Sequence, residues 1–293
     1  MVTPVIENQG VDVIMRFHDL RRVDELERAV FSLVGQEVRP LRILLALQRF
    51  SDSEAEAVET RLSPLLSLPN APQATLLRFN AEVPIDARSA LVNLGFAAAT
   101  ARYVALLDYD DVIYPEAYRM LISRLRATEA GIAFGRIGVK LIDVFEDFLH
   151  VRASHKVFAG NSLIDLFHQN FCPIHSFMVD RARVPAEELR FEPLMTLEED
   201  YEFLLRVCAR VRSDFALIET QIGEYYYKTD LSNTIGANIA PEPKVLSNIQ
   251  AALSFNDFRR RLTLLSREVQ ADLGLEDYQP DMTIRAFLDR RAA

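Results

Sequence analysis

The sequence predicts an α/β fold with a doubly wound, mostly parallel sheet, and three observations lead to it. From Val11 to about Glu129, short apolar runs alternate with segments whose apolar residues recur at helical spacing. Strands and helices that alternate in this way imply right-handed crossovers onto one sheet. Leu41–Leu47 is almost continuously apolar, which is typical of a strand buried on both faces of a parallel sheet. The chain has 293 residues, 49% of them apolar, which is enough for a sizeable core.

The first half of the chain opens with a strand and then a helix. Val11–Phe17 is β-branched and apolar, and the segment from Val23 to Val34 is amphipathic. Ser51 and Glu54 have the spacing of a capping box, in which each side chain binds the backbone N–H of the other residue. The later predicted elements are a strand over Leu41–Leu47, a helix from Ser51 to Leu66, a strand over Ala74–Phe79, a helix from Asp86 to about Thr100 and a strand over Tyr103–Leu107. Ligands of such sheets bind beyond the carboxyl ends of the strands, and we expect the site there.

Beyond Pro115 the pattern is less regular. The predicted elements are a helix to about Glu129, strand-like stretches from Ile132 to Val144, a helix near Ser162 to His168, a strand over Ile174–Val179, a helix over Glu198–Val211 and a strand over Phe215–Ile218. From about Pro241 the segment is helical, with no strand signal. Since no repeat or flexible linker is evident, we expect one domain followed by a helical C-terminal extension.

The formal net charge of −9 and the two cysteines exclude several classes of protein. An acidic balance disfavours nucleic-acid binding, which needs a basic surface. Cys172 and Cys208 cannot form a disulfide framework and lack zinc-site spacing, so we expect buried thiols in a reducing compartment. Met1–Gly10 does not have the pattern of a secretory signal, and no apolar run reaches the roughly 18 residues of a membrane span. We therefore expect a cytoplasmic protein.

Three carboxylates directly follow the predicted strand Tyr103–Leu107, as Asp108, Asp110 and Asp111. Like charges crowded at a strand end repel each other and need a compensating cation. Mg²⁺ or Mn²⁺ would supply that charge and could bridge to substrate phosphates. A polar turn that caps the next helix is the alternative interpretation.

A second acidic group, Glu198 to Asp200, lies in the first turn of a predicted helix, where the helix dipole stabilises negative charge. A carboxylate there could project into a cleft as a general base. Ordinary helix N-terminal acidity is the alternative explanation.

Together these features resemble the family 2 glycosyltransferases, whose fold is the nucleotide-binding α/β domain called GT-A. The resemblance covers about Val11 to Thr234. Its parts follow the family's order: the opening strand Val11–Met15, Ser32–Gln36 before the second strand, Asn93–Gly95 before Tyr103–Asp111, and then Glu199–Tyr201. The resemblance implies a GT-A domain over residues 1–235, with a nucleotide-sugar-binding half (11–112) and an acceptor half (113–235), and a helical extension over residues 236–293.

By this resemblance, Asp108 and Asp110 correspond to the family's Asp-x-Asp motif, which holds a divalent metal and the donor. Asp110 is assigned to the metal, Asp108 to the ribose or the metal, and Asp111 to a supporting role. Asp200 corresponds to the base that deprotonates the acceptor hydroxyl, with Glu199 orienting it or contacting the acceptor. The implied reaction is metal-dependent, inverting sugar transfer of the hexosyltransferase type from a nucleoside diphosphate to a glycan or lipid-linked hydroxyl, as in cell-surface polysaccharide synthesis.

Further donor contacts are implied at the other strand ends. Phe17, His18 and Asp19 are expected near the nucleobase, although His18 could be an ordinary loop residue. Gln48 stands where family members commonly carry aspartates that hold the nucleobase, so base recognition must differ here. Arg88 and Lys228 are candidate phosphate contacts, with a solvated helix charge as the alternative for Arg88.

Two other functions were compared with sugar transfer, and the role of one C-terminal segment stays open. A non-catalytic GT-A scaffold in a glycan-assembly complex would fit the missing aspartates. A nucleotidyltransferase would need a Gly-rich loop after the first strand, and Phe17–Arg22 contains no Gly. The basic, amphipathic segment Phe255–Arg267 could contact the inner face of the membrane or a second copy of the chain, or could cover the domain's own apolar surface.

Overall fold

The computed structural model describes residues 8–155, 158–229 and 243–292, and it has the predicted α/β architecture. The strands are β1 (Asn8–Phe17), β2 (Leu41–Gln48), β3 (Gln73–Phe79), β4 (Ala101–Leu106), β5 (Val112–Ile113), β6 (Ile132–Val144), β7 (Leu149–His155), β8 (Phe177–Asp180) and β9 (Ser213–Lys228). The α-helices are α1 (Val23–Val34), α2 (Asp52–Leu66), α3 (Arg88–Ala98), α4 (Ala117–Thr128), α5 (Leu163–His168), α6 (Glu199–Arg210), α7 (Pro243–Leu262), α8 (Arg267–Asp272) and α9 (Ile284–Ala292). Short 3-10 helices cover Leu20–Arg22 and Ala186–Glu188.

The strands form one sheet in the order β3-β2-β1-β4-β8-β6-β9-β5, and β7 pairs with β6. The first four strands are mutually parallel, as predicted. β8 runs antiparallel to both β4 and β6, whereas β6 and β9 are parallel. Phe17 pairs with Leu47, and Gln48 with Phe79, so β1, β2 and β3 end side by side at one edge.

Both faces of the sheet are buried, which explains the continuous apolar runs. Val13 and Met15 of β1 belong to one hydrophobic cluster, with residues of α1, α2 and α4. Ile14, between them, belongs to a second cluster on the opposite face, with residues of α3, α6 and α9. Gly95 of α3 lies so close to β1 that a Cβ atom there would be 2.4 Å from the Ile14 side chain. The helix can pack this closely only because the residue is a glycine.

Polar side chains form hydrogen bonds at the start of α2 and at the amino-terminal edge of the sheet. The predicted capping box is confirmed, because Ser51 Oγ accepts from Glu54 N at 3.3 Å and Glu54 Oε2 accepts from Ser51 N at 2.8 Å. At the amino-terminal edge of the sheet, Asp12 is fully buried and accepts two 2.8 Å hydrogen bonds from Arg42. Burial opposes ionisation of Asp12, but hydrogen bonds from Arg42 and two backbone N–H groups outweigh it and lower the pKa.

The second half of the chain departs from its predictions in three strands. β9 extends over Ser213–Lys228 rather than Phe215–Ile218, because it continues through polar residues along β6 with several register shifts. β7, which was not predicted, is largely exposed and has no buried face to mark it in the sequence. The predicted strand Ile174–Val179 begins later, at Phe177.

The C-terminal helices pack on the domain. Leu265, Val269 and Phe287 share a hydrophobic cluster with Phe203 of α6. The predicted segment Phe255–Arg267 is divided between the end of α7 and the start of α8. The proposed boundary near residue 235 lies outside the described residues and stays a prediction. Within the described ranges, no helix combines the length and apolar character needed to span a membrane.

Candidate active site

A cavity of about 370 Å³ opens at the carboxyl ends of β1, β2 and β4, the edge that the fold class predicts. Its lining brings together the ends of several strands, the turn before α3 and one residue of β9. The lining residues are Arg16, His18, Arg22, Gln48, Ile85, Asp86, Arg88, Leu91, Asp108, Tyr109, Asp110 and Tyr225.

Asp108 and Glu199 are joined by one arginine. Arg16, in β1, donates to both carboxylate oxygens of Asp108, at 2.8 and 3.1 Å, and to Glu199 Oε1 at 2.8 Å. Burial of Asp108 opposes its ionisation, but the charge and hydrogen bonds of Arg16 outweigh that effect and lower its pKa. The two acidic motifs therefore meet, although 90 residues lie between Asp108 and Glu199 in the sequence.

Asp110 lies in a second network with Lys228. Its Oδ2 accepts from Lys228 Nζ at 2.8 Å and from Arg22 Nη2 at 3.2 Å. Lys228 is 2% exposed and also forms an ion pair with Glu25 of α1. Lys228 is thus next to Asp110, and its ammonium group already neutralises carboxylates there, while its contact with a donor phosphate stays a prediction.

Asp111 is placed differently from the expectation. It is 1% exposed, does not line the cavity, and accepts a 2.9 Å hydrogen bond from the backbone N–H of Tyr226. His175 Nδ1 lies 3.4 Å from its Oδ2, and burial lowers the pKa of His175 to about 4. Burial, followed by the charges of Asp110 and Asp108, raises the pKa of Asp111 well above its ordinary value. Asp111 thus contacts the backbone of β9 in this structure, and its supporting role at a metal stays a prediction.

Asp200 lies in the first turn of α6, as predicted. Its Oδ1 accepts from the backbone N–H of Tyr201 at 2.7 Å and from Asn170 Nδ2 at 3.3 Å. Burial, followed by the charges of Glu199 and Glu198, raises its pKa well above the ordinary value. A carboxylate with a raised pKa holds a proton more firmly, which is the property a general base needs.

The predicted donor contacts divide into three groups. His18, Gln48 and Arg88 line the cavity. Phe17 is at the predicted strand end, but its side chain is fully buried against Phe50 and Tyr109, so it supports the floor of the cavity. Asp19 lies outside this lining, in an adjoining groove, and binds the guanidinium group of Arg21.

Sequence reasoning missed several lining residues. Arg16 has a visible signal, because it is the one charged residue between Val13 and Phe17 in an otherwise apolar run. Asp86 was assigned only to a helix start, yet it lines the cavity and pairs with Arg88 at 2.9 Å. The other missed lining residues are Arg22, Ile85, Leu91 and Tyr109.

The carboxylate oxygens that line the cavity are of the type that binds a hard divalent cation. Among the residues that the structure describes, no three His, Cys, Asp or Glu side chains converge on one point. Mg²⁺, however, is commonly bound by one or two carboxylates together with substrate phosphates. Asp108 and Asp110 both line the cavity, and the hydrogen bonds described for the Asp110 carboxylate end on Oδ2. Asp110 Oδ1 is therefore the first candidate ligand atom.

The formal charges of the lining balance. Three arginines, Arg16, Arg22 and Arg88, oppose the three carboxylates of Asp86, Asp108 and Asp110. A doubly charged anion that entered the cavity would therefore need additional positive charge, either from a metal ion or from a rearranged ion pair.

Comparison with known proteins extends this description. A family model, Glycosyl transferase family 2, matches residues 20–183, which include Asp108 and Asp110 but end before Glu199. The succinoglycan biosynthesis protein ExoO of Rhizobium meliloti (strain 1021) is 26% identical over 194 residues, which are 64% of this chain and 52% of that protein. The chain thus spans about half the length of this curated relative.

Solved structures share the fold. The crystal structure of S. aureus TarS 1–349 in complex with UDP has a TM-score of 0.58 and 12% identity, over 91% of this chain and 69% of that chain. The complex of TarS 1–349 with UDP-GlcNAc has a TM-score of 0.58 and 14% identity, over 91% of this chain and 70% of that chain. At this level of identity the likeness shows that the fold is of the GT-A type.

Proposed function

The chain belongs to glycosyl transferase family 2, and from this premise we propose that it transfers a sugar from a nucleoside-diphosphate donor to a hydroxyl group of a glycan or lipid-linked acceptor. One observation carries the proposal. The Asp-x-Asp side of the cavity and the acidic start of α6 are joined through Arg16, with 2.8 Å contacts to both Asp108 and Glu199. This contact supports the proposal, because direct sugar transfer requires the donor and the base to be neighbours.

The donor diphosphate is assigned to the side of the cavity that contains Asp108, Asp110 and Arg88. Mn²⁺ or Mg²⁺, when bound with the donor, would be held by Asp110 together with Asp108 and would act as a Lewis acid on the leaving phosphate oxygen. The balanced charges of the lining support this assignment, because the diphosphate brings negative charge that the arginines do not neutralise. Arg88, at the start of α3, is the guanidinium that could pair with a phosphate by leaving Asp86.

The reaction needs one base. In the proposed step Asp200 accepts the proton of the acceptor hydroxyl as its oxygen forms a bond to the anomeric carbon. The bond from that carbon to the diphosphate oxygen breaks, and its electron pair leaves with the nucleoside diphosphate. A single displacement of this kind inverts the anomeric configuration. General-base catalysis of this type contributes about 10²–10⁴-fold to the rate.

The donor and acceptor classes are inferred from the proteins that this chain resembles. TarS structures hold UDP and UDP-GlcNAc, and ExoO is a succinoglycan biosynthesis protein, so UDP-hexoses and polysaccharide acceptors are the first to test. The side chain of Gln48 bears on which nucleobase the donor carries. Its Nε2 donates to Ile85 O at 3.0 Å, and an amide presents both donors and acceptors to a base, unlike the aspartates of other members.

The test is a panel of sugar nucleotides measured with Mn²⁺, by thermal stabilisation and by donor turnover. We expect one donor to raise the melting temperature and to be turned over, since a ligand bound only by the native state stabilises it. Asp110→Ala should lose both effects. Stabilisation without turnover would favour the scaffold alternative, and a panel with neither effect, or with no change in Asp110→Ala, would overturn the assignment.

A further inference from the structure

Arg260, in the C-terminal helix α7, binds both α5 and α6 through one guanidinium group. Its Nε donates to Phe167 O at 2.7 Å, and its Nη2 donates to His168 O at 3.0 Å. Both carbonyls belong to the last turn of α5, where backbone oxygens need donors from outside the helix and a cation is favourable. The same Nη2 donates to the hydroxyl of Tyr201, near the start of α6, at 2.7 Å. Arg260 thus caps α5 and holds α6 at the same time.

The side chain of Tyr201 joins the two helices directly. It is 3% exposed, and its hydroxyl donates to Leu166 O of α5 at 2.7 Å while it accepts from Arg260. The guanidinium carbon of Arg260 also lies 5.3 Å from the centre of the Tyr201 ring, within the range of a cation–π contact. Without Arg260, the hydroxyl would keep its bond to Leu166 but lose its donor. The guanidinium group and the phenol therefore hold the end of α5 against the start of α6.

The hydrogen bonds described for the Asp200 carboxylate come from residues beside these contacts. The backbone N–H of Tyr201 donates to Asp200 Oδ1 at 2.7 Å. Asn170, two residues after His168 in the chain, donates to the same oxygen from Nδ2 at 3.3 Å. One donor belongs to α6 and the other to the loop after α5. The direction of the carboxylate therefore depends on how these two elements are held together.

We propose that Arg260 is a positioning residue, which fixes the direction of the Asp200 carboxylate by tying the end of α5 to the start of α6. This role rests on the proposed function and deepens it, because Asp200 is the base of that reaction. Arg260 is not among the residues that line the cavity, so it acts through Tyr201 and Asn170 rather than on the donor. A displacement of about 1 Å at a reacting group can cost about 10²-fold in rate, so a residue outside the cavity can control kcat.

The experiment measures kcat and the donor KM of wild type, Arg260→Met and Tyr201→Phe. Arg260→Met removes all three hydrogen bonds of the guanidinium group, whereas Tyr201→Phe removes only the shared hydroxyl. We expect kcat to fall about tenfold in Arg260→Met and by less in Tyr201→Phe. The donor KM should stay unchanged in both variants, because the residues that line the donor side of the cavity are intact.

The same substitution in the Asp200→Asn background separates positioning from a structural defect. If Arg260 acts through Asp200, Arg260→Met should lower kcat little once that carboxylate is absent, because residues that act as a unit have non-additive effects. Partial unfolding would instead lower kcat by the same factor in both backgrounds. An equal loss in both backgrounds would therefore overturn the inference and leave the proposed function intact.

Arg212→Met is the matched control for docking of the C-terminal helices. Arg212 forms a two-bond ion pair with Asp272 of α8, at 2.9 and 3.0 Å. These bonds also tie the C-terminal helices to the rest of the fold, but they end away from α5 and from the start of α6. The kcat of Arg212→Met should match that of wild type. A loss as large as that of Arg260→Met would assign the effect to helix docking in general and reject the specific role of Arg260.

Wild-type protein without turnover of any donor would overturn the proposed function. In that case, hydrogen exchange of the Tyr201 backbone N–H, followed by NMR, tests the contact itself. We expect exchange to be about tenfold faster in Arg260→Met but not in Arg212→Met, because the bond from this N–H to Asp200 would be held less firmly. Equal exchange in wild type and Arg260→Met would reject the positioning role independently of activity.

Discussion

The buried ammonium group of Lys228 gives the sharpest stability prediction. Lys228 is 2% exposed, its Nζ is 2.8 Å from Asp110 Oδ2, and it also pairs with Glu25. Lys228→Met would leave both carboxylates with Arg22, at 3.2 Å from Asp110 and 2.8 Å from Glu25. Removing one partner of a buried pair typically costs about 3–5 kcal/mol. Because Arg22 remains, and the two carboxylates are 16% and 20% exposed, we expect a loss of about 2–3 kcal/mol.

The assay is urea unfolding of wild type and Lys228→Met at neutral and at acidic pH. Burial opposes ionisation of Glu25, but hydrogen bonds from Arg22 and Lys228 outweigh it and lower the pKa. A lowered pKa gives stability that is present above the unfolded-state pKa and is lost as the pH falls through the folded-state pKa. The difference between the two proteins should therefore be largest at neutral pH and shrink as Glu25 protonates.

Lys140→Met is the matched control for this experiment. Lys140 pairs with Glu224 at 3.1 Å, but its side chain is 24% exposed, so the loss should not exceed about 1 kcal/mol. An equal loss in both variants, or a Lys228→Met effect that does not depend on pH, would contradict a stabilising role of the buried ion pairs of Lys228.

Three further predictions concern packing, pH and metal. Gly95→Ala should lower the free energy of unfolding, measured in urea, by about 1–3 kcal/mol, because the new Cβ atom would be 2.4 Å from the Ile14 side chain. Gly35→Ala is the control and should change it little, because the Cβ atom there would be 3.6 Å from its nearest neighbour. Burial and two neighbouring carboxylates raise the pKa of Asp200, so the acid limb of the pH profile of donor turnover should lie above the ordinary aspartate range. An acid limb at or below that range would contradict the role of Asp200 as the base. Removal of divalent metal with EDTA should weaken donor binding measured by calorimetry, and restoration by Mn²⁺ should depend on Asp110, so equal affinity with and without metal would contradict the assignment.

The parallel half of the sheet was predictable from sequence because both of its faces are buried. Runs such as Leu41–Leu47 have no polar side to interrupt them, and helices with one apolar face separate them. β7 and the outer part of β9 lacked this signal, because they include exposed, polar positions and depend on pairing with β6. Pairing partners distant in the chain leave no local periodicity to detect.

The sequence predicted where the site lies on the sheet, but not which way each side chain points. The end of a predicted strand placed Asp108 and Asp110 at this edge of the sheet, and the family resemblance added Asp200. The structure brings the two segments together through Arg16, which contacts both Asp108 and Glu199. The sequence did not distinguish Asp110, which faces the cavity, from Asp111, which is buried beneath β9 one residue later. Nor did it reveal Arg16 as a bridge, since that role depends on the distance between segments far apart in the chain.

The C-terminal helix α7 bears on the predicted contacts with a membrane or with a second copy of the chain. Leu253, Phe258 and Leu262 of α7 are exposed, and Arg259 of the same helix pairs with Glu202 of α6. Peripheral membrane contact, a second copy of the chain and a cytoplasmic location stay predictions.

The most direct test of the central claim is sugar transfer by wild type and by Asp200→Asn, with a donor that the panel identifies. We expect a product of inverted anomeric configuration by NMR, a loss of kcat of about 10²-fold or more in Asp200→Asn, and unchanged donor affinity in that variant. Transfer by Asp200→Asn at the wild-type rate, or a product that retains the donor's configuration, would contradict it.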